Sequence, residues 1–581
     1  MQFMPSWMRN YQRSWLSGDL VAGVIVTVML IPQSLAYALL AGLPPEVGLY
    51  ASILPIVAYA LLGSSMTLAV GPVAVASLMT ASALQPLAAA GSAEYVGLAM
   101  LLSLLSGGML LLFGLLRLGF LAHFLSHPVI SGFISGSAIL IAVGQLKHLM
   151  GVKAGGGNVL DTLLQLAHAV PHTNGVTSGI GAGSVLFLLL ARKFLAPWLV
   201  RAGVDAKLAE LASKLAPMLA VLVSTALVAA LRWDKSAGVS IVGAVPQGLP
   251  TLAFPPVAAS AIGQLWLPAL LISLVGFVES VSVAQSLALK RQQRIQPNRE
   301  LLGLGAANVA SALSGGFPVT GGFARSVVNF SAGANTPLAG VVSAMLMAVV
   351  IAALTGLFHY LPHAVLAATI IVAVVSLVDV QTLREAWRYD KADAWSLLAT
   401  AGGVIAWGVE VGILMGVGLS LGTLVWRSSH PHIAVVGRVP GTEHFRNIVR
   451  HPVATEHDLI AVRVDESLYF ANSEVLQDSI ESLVAAQPRT RHVLLVCSAI
   501  NQIDATALRV LTDLESSLAR RGIALLLSEV KGPVLDRLQK TSLGQNLQGR
   551  VFLSTHQAFE SVRQNTAAPM AGGEKQVAPS L

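Results

Sequence analysis

Apolar stretches long enough to cross a bilayer recur through most of this chain, and they limit its fold more than any other feature. Windows of about twenty apolar residues, the length that a spanning helix needs, alternate with shorter segments that are rich in glycine. Together they predict fourteen membrane-spanning segments, near residues 20–40, 45–63, 71–87, 95–116, 120–146, 176–196, 212–231, 265–289, 300–315, 323–336, 338–358, 362–378, 394–409 and 411–426.

The composition excludes a soluble protein. Of the 581 residues, 54% are hydrophobic and only 11% are charged, so lipid must solvate most of the surface. A cleaved signal peptide is the alternative for the N-terminus, since Arg9 and Arg13 precede an apolar run and residues 36–38 resemble a cleavage site. That run contains Pro32, and apolar sequence returns repeatedly afterwards, which favours a first span.

The net charge of +7 has two explanations, nucleic-acid binding or the cytoplasmic excess of Lys and Arg in membrane proteins. If the N-terminus is cytoplasmic, 16 Lys and Arg residues fall in cytoplasmic loops and four fall outside. This asymmetry supports the second explanation. We therefore expect a multi-pass protein of the cell's inner or plasma membrane, with both termini cytoplasmic and no nucleic-acid partner.

The sequence changes character after Arg427, where charges become frequent and no later apolar run is long enough to span. Apolar runs at Leu459–Val464 and His492–Val496 predict strands and Thr506–Arg520 predicts an amphipathic helix, and this alternation indicates a small α/β domain. The only cysteine, Cys497, follows a buried strand and is expected to be an inert thiol. The predicted domains are a cytoplasmic N-terminus at 1–18, a transmembrane transport domain at 19–427, the α/β domain at 433–565 and a disordered tail at 566–581.

Two stretches interrupt the apolar pattern in the same way, one in each half of the membrane part. Leu68–Ser77 and Gly315–Ser326 each place Gly or Pro just before a short apolar segment, as expected where a helix begins in mid-membrane after an extended run. Such paired breaks point to the substrate site of a transporter built from inverted repeats. The alternative is that these residues only permit close helix packing.

Arg325 lies within the first turn of the second short segment. A charge at that depth costs about 2.5 to 3.5 kcal/mol on insertion scales, so it needs a counter-charge or a function. The N-termini of helices carry partial positive charge and free N–H groups. Two such N-termini and a guanidinium together predict a site for an anion.

Three further polar residues lie in predicted spans. Glu279 is either a fixed ion-pair partner of Arg325 or a proton acceptor that controls Arg325. Gln33 and Tyr37 are four residues apart and share one helix face beside Pro32. They either donate hydrogen bonds to an anion or bond neighbouring helices.

Five stretches resemble the sulfate permease family of anion transporters: Ile31–Ala38, Leu43–Tyr50, Leu62–Ser65, Ala69–Pro72 and Ala324–Gly333. The part after Arg427 resembles the STAS domain that follows the membrane part in that family. The resemblance implies a uracil-permease-like fold, with two inverted repeats of seven segments arranged as core and gate domains. It also implies a homodimer and proton-coupled sulfate uptake by an elevator-like movement of the core, as in the plant members.

The resemblance also assigns residues. It places Gln33, Tyr37 and Arg325 on the anion and links Glu279 to proton coupling, while the starts of the two short helices complete the substrate site at Ala74, Val75, Gly322, Phe323 and Ala324. Relatives tend to carry hydroxyls where this chain has Ala74, Gly322 and Ala324, which leaves coordination to backbone N–H groups, Ser77 or water. In the STAS domain, Thr506 is either a phosphorylation site or part of a surface for a cytoplasmic partner.

The leading hypothesis is a proton-coupled secondary transporter of sulfate or a similar oxyanion. The alternatives are sodium-coupled bicarbonate uptake, exchange or uniport of chloride or a dicarboxylate, and an anion sensor that signals through the STAS domain. No Walker loop, metal-ligand cluster or catalytic triad is found in the sequence. We therefore expect no enzyme activity and no metal or cofactor.

Overall fold

A computed structural model describes residues 5–123, 126–154, 159–255 and 259–567. The chain divides into two units, Met1–Ser420 and Leu421–Leu581. The first unit holds nearly all the apolar helices and the second holds the mixed sheet.

In the described part of the first half of the membrane unit, one short strand, β1 (Val70–Gly71), interrupts the series of helices. Pro32 lies inside the second helix and removes one backbone donor from it. The helices are α1 (Ser6–Arg9), α2 (Leu16–Leu40), α3 (Pro45–Tyr50), α4 (Leu54–Leu62), α5 (Ala74–Leu84), α6 (Ala93–Leu115), α7 (His127–Met150), α8 (Val159–Ala169), α9 (Gly175–Leu190), α10 (Ala196–Arg201), α11 (Ala206–Lys214), α12 (Ala216–Leu231) and α13 (Trp233–Ser236).

The second half repeats the plan, with a short strand, β2 (Thr320–Gly321), ahead of a short helix. Its helices are α14 (Ala259–Lys290), α15 (Pro297–Leu313), α16 (Phe323–Ser331), α17 (Leu338–Ala353), α18 (His363–Val375), α19 (Val380–Tyr389), α20 (Lys391–Trp407) and α21 (Val409–Ser429).

Helices lie at all fourteen predicted positions of the described chain. Eight spans are long and apolar enough to cross a membrane, and α5, α12 and α17 are shorter apolar helices. The predicted segment at 120–146 begins later than expected, because α7 starts at His127. The helical membrane fold is confirmed, and the count of fourteen crossings is consistent with it.

The helices of the membrane unit pack as two bundles. In the first bundle, α15 packs against α4 and α6, α14 against α6, and α17 against α2. In the second, α7 packs against α18 and α20, and α18 against α9. The two bundles touch through α2, which contacts α12 and α18, and through α5, which contacts α7. This division corresponds to the expected core and gate.

Small polar side chains join helices inside the first bundle. Thr27 of α2 donates to Ser343 of α17 over 3.0 Å, and Ser106 of α6 lies 2.9 Å from the hydroxyl of Ser273 on α14. All four side chains are buried. Hydrogen bonds of this kind hold helices together where lipid gives no hydrophobic driving force between them.

The second unit is a six-stranded sheet in the order β4-β3-β5-β6-β7-β8, with β5 to β8 parallel. Helices cover it because strands that are buried on both faces need a layer on each side. The strands are β3 (Ile433–Arg438), β4 (Phe445–Asn447), β5 (Leu459–Val464), β6 (His492–Val496), β7 (Ala524–Ser528) and β8 (Val551–Phe552). The helices are α22 (Ser473–Ala486), α23 (Ala505–Arg520), α24 (Gly532–Leu538), α25 (Ser542–Asn546) and α26 (Thr555–Ala567).

Cys497 lies at the end of β6 and is buried. Burial raises the pKa of its thiol to about 12, so the thiol stays protonated and unreactive at neutral pH. The last helix runs through Ala567, and the rest of the predicted tail lies outside the described residues.

Candidate functional site

The two interruptions of the apolar pattern meet in space. β1 and β2 pair antiparallel, with Val70 opposite Gly321 and Gly71 opposite Thr320. Gly322 N also donates to Ala69 O over 3.0 Å. Each extended segment therefore satisfies backbone groups of the other, which non-helical backbone inside a membrane protein requires. The breaks do more than permit close packing, since each one starts a new helix.

The short helices α5 and α16 begin in equivalent ways directly after the paired strands. The hydroxyl of Ser77 donates to Val73 O over 2.8 Å, and the hydroxyl of Ser326 donates to Gly322 O over 2.7 Å. Val73 and Gly322 are the residues directly before α5 and α16, so the two serines occupy equivalent positions in their helices. Neither helix has a side-chain cap, so the first N–H groups of both lack a partner within their helix.

Arg325 is 2% exposed and contacts both breaks. Its Nη1 donates to Pro72 O over 2.6 Å. Its Nε and Nη2 are buried and make no hydrogen bond to any described residue. Leaving two donors of a buried cation unpaired is costly, so they are the donors best placed for an anion.

Glycines at both breaks make room for this guanidinium. A Cβ atom on Gly322 would lie 3.0 Å from Arg325 Nη2, and one on Gly71 would lie 3.3 Å from the same atom. Either methyl group would press on the guanidinium. Gly71 in β1 and Gly322 directly before α16 therefore define where the guanidinium of Arg325 lies.

Glu279 is on α14 and is half-buried. It lies within electrostatic range of Arg325, but no ion pair joins the two in the described part of the chain. The fixed ion pair considered from the sequence is therefore absent. Glu279 instead lines a small cavity together with apolar side chains of α7 and α21, among them Phe133 and Ile413.

Gln33 and Tyr37 lie on the face of α2 where the two bundles meet. Tyr37 is buried within electrostatic range of both Arg325 and Glu279, and Gln33 is half-buried. Neither side chain forms a hydrogen bond to another described residue, so the interhelical bonds considered from the sequence are not formed. Both polar groups are available to a ligand.

The two helix starts differ in exposure. Ala74 and Val75 of α5 are buried, whereas Phe323 is 52% exposed and Ala324 is also exposed. Ser77, considered as a substitute donor, has its hydroxyl hydrogen engaged by its own helix. With no side-chain hydroxyl at positions 74, 322 and 324, the nearby donors are Arg325 and backbone N–H groups.

Two buried carboxylates brace the first bundle, and sequence reasoning missed both. Glu300 is fully buried and accepts hydrogen bonds from Tyr59 and from the backbone of Ser64 and Ser65. Asp19, which the predicted boundary placed at the edge of the membrane part, accepts from Asn335 N over 2.6 Å and from Thr336. The signal was a carboxylate at the start of an apolar helix, which reads equally well as a solvated charge.

Asn329, one turn after Arg325 on α16, was also missed. Its Nδ2 donates to Thr67 O over 3.0 Å, while its Oδ1 is buried without a partner. Asn329 and Arg325 both line a cavity of about 20 Å³, which has room for roughly one water molecule. This cavity is too small for an oxyanion.

Thr506 lies in the first turn of α23 in the second unit. Asp504 caps that helix by accepting from Ala507 N over 2.8 Å. Thr506 itself is half-buried. Its regulatory role stays a prediction.

A model of the sulfate permease family matches residues 16–400, and a model of the STAS domain matches residues 451–558. The chain belongs to the sulfate permease family. Its relatives include sulfate transporter 4.1, chloroplastic, of Arabidopsis thaliana, which is 36% identical over 90% of this chain and 76% of its own length. A probable sulfate transporter of Mycobacterium tuberculosis is also 36% identical, over 96% of this chain and 97% of its own length.

The fold is similar to that of a solved anion transporter. The structure of the murine anion transporter Solute Carrier 26 family member A9 in the inward-facing state superposes with a TM-score of 0.89. It covers 97% of this chain and 94% of that one at 22% identity. The relatives are named as transporters, which supports a non-enzymatic role, and the resemblance seen in the sequence motifs is confirmed.

Proposed function

We propose that this protein transports a small inorganic oxyanion, with sulfate as the first candidate, by proton symport. The observation that supports this most is the buried guanidinium of Arg325, whose Nε and Nη2 have no partner among the described residues. The relatives named above as sulfate transporters, which match along nearly the whole chain, support sulfate.

The anion would lie between the starts of α5 and α16. There the unpaired donors of Arg325 can bind two of its oxygens, and the free N–H groups of two helix N-termini add partial positive charge. Gln33 and Tyr37 would complete the site from α2. A cation would be repelled by the guanidinium and by both helix N-termini.

Proton coupling would depend on Glu279. When ionised, this carboxylate places a negative charge within range of Arg325 and opposes an anion there. Proton binding removes that charge, so a proton and an anion favour each other's binding by the same factor. Release of either one then weakens the hold on the other.

Movement across the membrane would be a displacement of one bundle against the other. β1, β2, α5 and α16 are joined to the first bundle, so the anion site would travel with it as the core. Glu279 faces apolar side chains of the second bundle, which would stay in place as the gate. We propose a homodimer with both termini in the cytoplasm and the STAS domain as a surface for a cytoplasmic regulator.

Bicarbonate or chloride is the second candidate substrate. It is favoured by one observation, the absence of hydroxyl side chains at Ala74, Gly322 and Ala324, because sulfate offers four oxygens to satisfy and chloride offers none. Sodium dependence would accompany a bicarbonate transporter of this design.

The test is uptake of labelled sulfate into proteoliposomes at two pH values, with unlabelled sulfate, bicarbonate, chloride and oxalate as competitors. We expect an inward proton gradient to accelerate uptake and unlabelled sulfate to compete best. Uptake that ignores the gradient would remove proton symport, and stronger competition by bicarbonate would change the substrate. Binding without net flux would instead support the sensor.

A further inference from the structure

The amphipathic helix α19 carries an uncovered groove at one membrane surface. It joins the end of α18 to the start of α20, two apolar helices of the gate. Asp379 caps α19 and accepts from Thr382 N over 2.9 Å, and its own N–H donates to Ser135 of α7.

The groove combines apolar and cationic groups in a way that the anion site does not use. It has a volume of about 330 Å³ and is lined by Val380, Leu383, Arg384, Trp387, Arg388 and Leu398. Both guanidiniums are exposed, and neither forms an ion pair or hydrogen bond with a described residue. They are one helical turn apart, so both can reach a single phosphate.

Aromatic side chains surround this groove. Trp387 and Trp395 pack with their ring centroids 5.8 Å apart, and both are exposed. Tyr389, at the end of α19, is 96% exposed. Exposed Trp and Tyr rings are typical of the layer where lipid head groups meet the acyl chains.

The nearby acidic side chains leave the groove itself cationic. Glu385 lies outside the groove lining and accepts from Gln381 over 2.7 Å. Asp390 caps α20 by accepting from Ala392 N over 3.0 Å. Lys391 adds a further positive charge at the same end, while Asp393 lies in the first turn of α20.

We propose that the α19 groove binds an anionic phospholipid, with Arg384 and Arg388 on its phosphate and an acyl chain along Val380, Leu383 and Trp387. Charge complementarity favours this occupant, and a zwitterionic lipid would be held less tightly. The site is distinct from the anion site, and its occupancy does not depend on which ion the protein carries.

Quenching of tryptophan fluorescence by brominated lipids tests this on the full-length protein in phosphatidylcholine vesicles. Trp387 and Trp395 are the reporters, and the W387F/W395F variant defines the signal of the other seven among the nine tryptophans. Each basic residue near a membrane surface strengthens the binding of anionic lipid by about five-fold. We therefore expect brominated phosphatidylglycerol to bind in the groove at least about five-fold more tightly than brominated phosphatidylcholine.

The R384Q/R388Q variant should lose this preference, and R384K/R388K should keep part of it. The matched control is R294Q/R299Q, which also removes two positive charges. Arg294 lies in the connection between α14 and α15, and Arg299 lies in the first turn of α15. Equal loss of preference in the control would overturn the proposal, because surface charge alone would then explain it. Absence of quenching by either lipid would also overturn it, since another protein surface, such as a second copy, would then cover the groove.

Discussion

The two short helices α5 and α16 show how one backbone device serves two purposes. Both follow one of the two paired strands, and both lack a side-chain cap. In both, a serine hydroxyl donates to the carbonyl of the residue directly before the helix. The start of α5 is apolar and buried, whereas α16 carries Arg325 and opens at Phe323. The shared geometry supplies two helix N-termini, and on the proposed function the added charge of Arg325 would make the site selective for anions.

The largest expected effect comes from removing Arg325, the charge that α16 carries and α5 lacks. Arg325→Ala should weaken anion binding roughly 100-fold or more, because two charge-assisted hydrogen bonds are lost. Binding is measured by isothermal titration with sulfate, and folding by the unfolding temperature in detergent. Arg325→Lys keeps the charge but not the two-donor geometry, so its affinity should fall between. A folded Ala variant with native affinity would contradict the assignment of Arg325.

The Glu279→Gln variant tests whether the carboxylate on α14 couples proton binding to anion binding at Arg325 on α16. The variant should still bind sulfate, while the ratio of uptake with and without a proton gradient falls to about one, because no carboxylate remains to exchange a proton. Paired flux measurements in proteoliposomes give this ratio. Glu410→Gln, in the first turn of α21, is the matched control and should retain the wild-type ratio. A gradient response that survives in the Glu279 variant would place coupling elsewhere.

Gly322→Ala tests how closely the α16 break fits the guanidinium. A Cβ atom 3.0 Å from Arg325 Nη2 must displace it. We expect a roughly ten-fold loss of sulfate affinity, because misplaced donors lose most of a charge-assisted hydrogen bond. Gly108→Ala on α6, where a Cβ meets nothing within 4 Å, should change nothing. Unaltered affinity in the Gly322 variant would mean that Arg325 binds the anion from another position.

The two serines give the smallest effect. The Ser326 hydroxyl also accepts from Ala69 N over 2.9 Å, whereas Ser77 bonds only within its own helix. Ser326→Ala should therefore destabilise the protein by about 1 to 2 kcal/mol by leaving a buried N–H unpaired, and Ser77→Ala by less than about 0.5 kcal/mol. Denaturant or thermal unfolding compares them. Equal losses would mean that the hydrogen bond from Ala69 N to the Ser326 hydroxyl adds nothing to stability.

Much of this arrangement could be predicted from the sequence. Arg325 and the two breaks stand out because a charge, or Gly and Pro together, is costly inside an apolar run. In the second unit, the predicted strands Leu459–Val464 and His492–Val496 have the observed bounds, since continuous apolar runs typify buried parallel strands. The helix predicted at Thr506–Arg520 begins one residue earlier, at Ala505.

The remainder depends on partners that are far apart in sequence. Glu300 could not be distinguished from a solvated charge without its partners Ser64 and Ser65, which lie on another segment. The surroundings of Glu279 depend on α7 and α21, so the local sequence does not decide between an ion-pair partner and a proton acceptor. The sequence places α19 in a basic loop between the predicted spans 362–378 and 394–409, because the helix is too short and too polar to be predicted as a span.

The pairing of β1 with β2 has a consequence for how the protein is made. Residues 70–71 have their partners at 320–321, so about 250 residues must be synthesised before these backbone groups find each other. Until then β1 lacks its partner strand, although α5 can already pack against α2, α6 and α7. On the proposed function the anion site would therefore be one of the last parts to form, since a chain truncated before β2 keeps α1–α15 with Gln33 and Tyr37 but lacks α16 and Arg325.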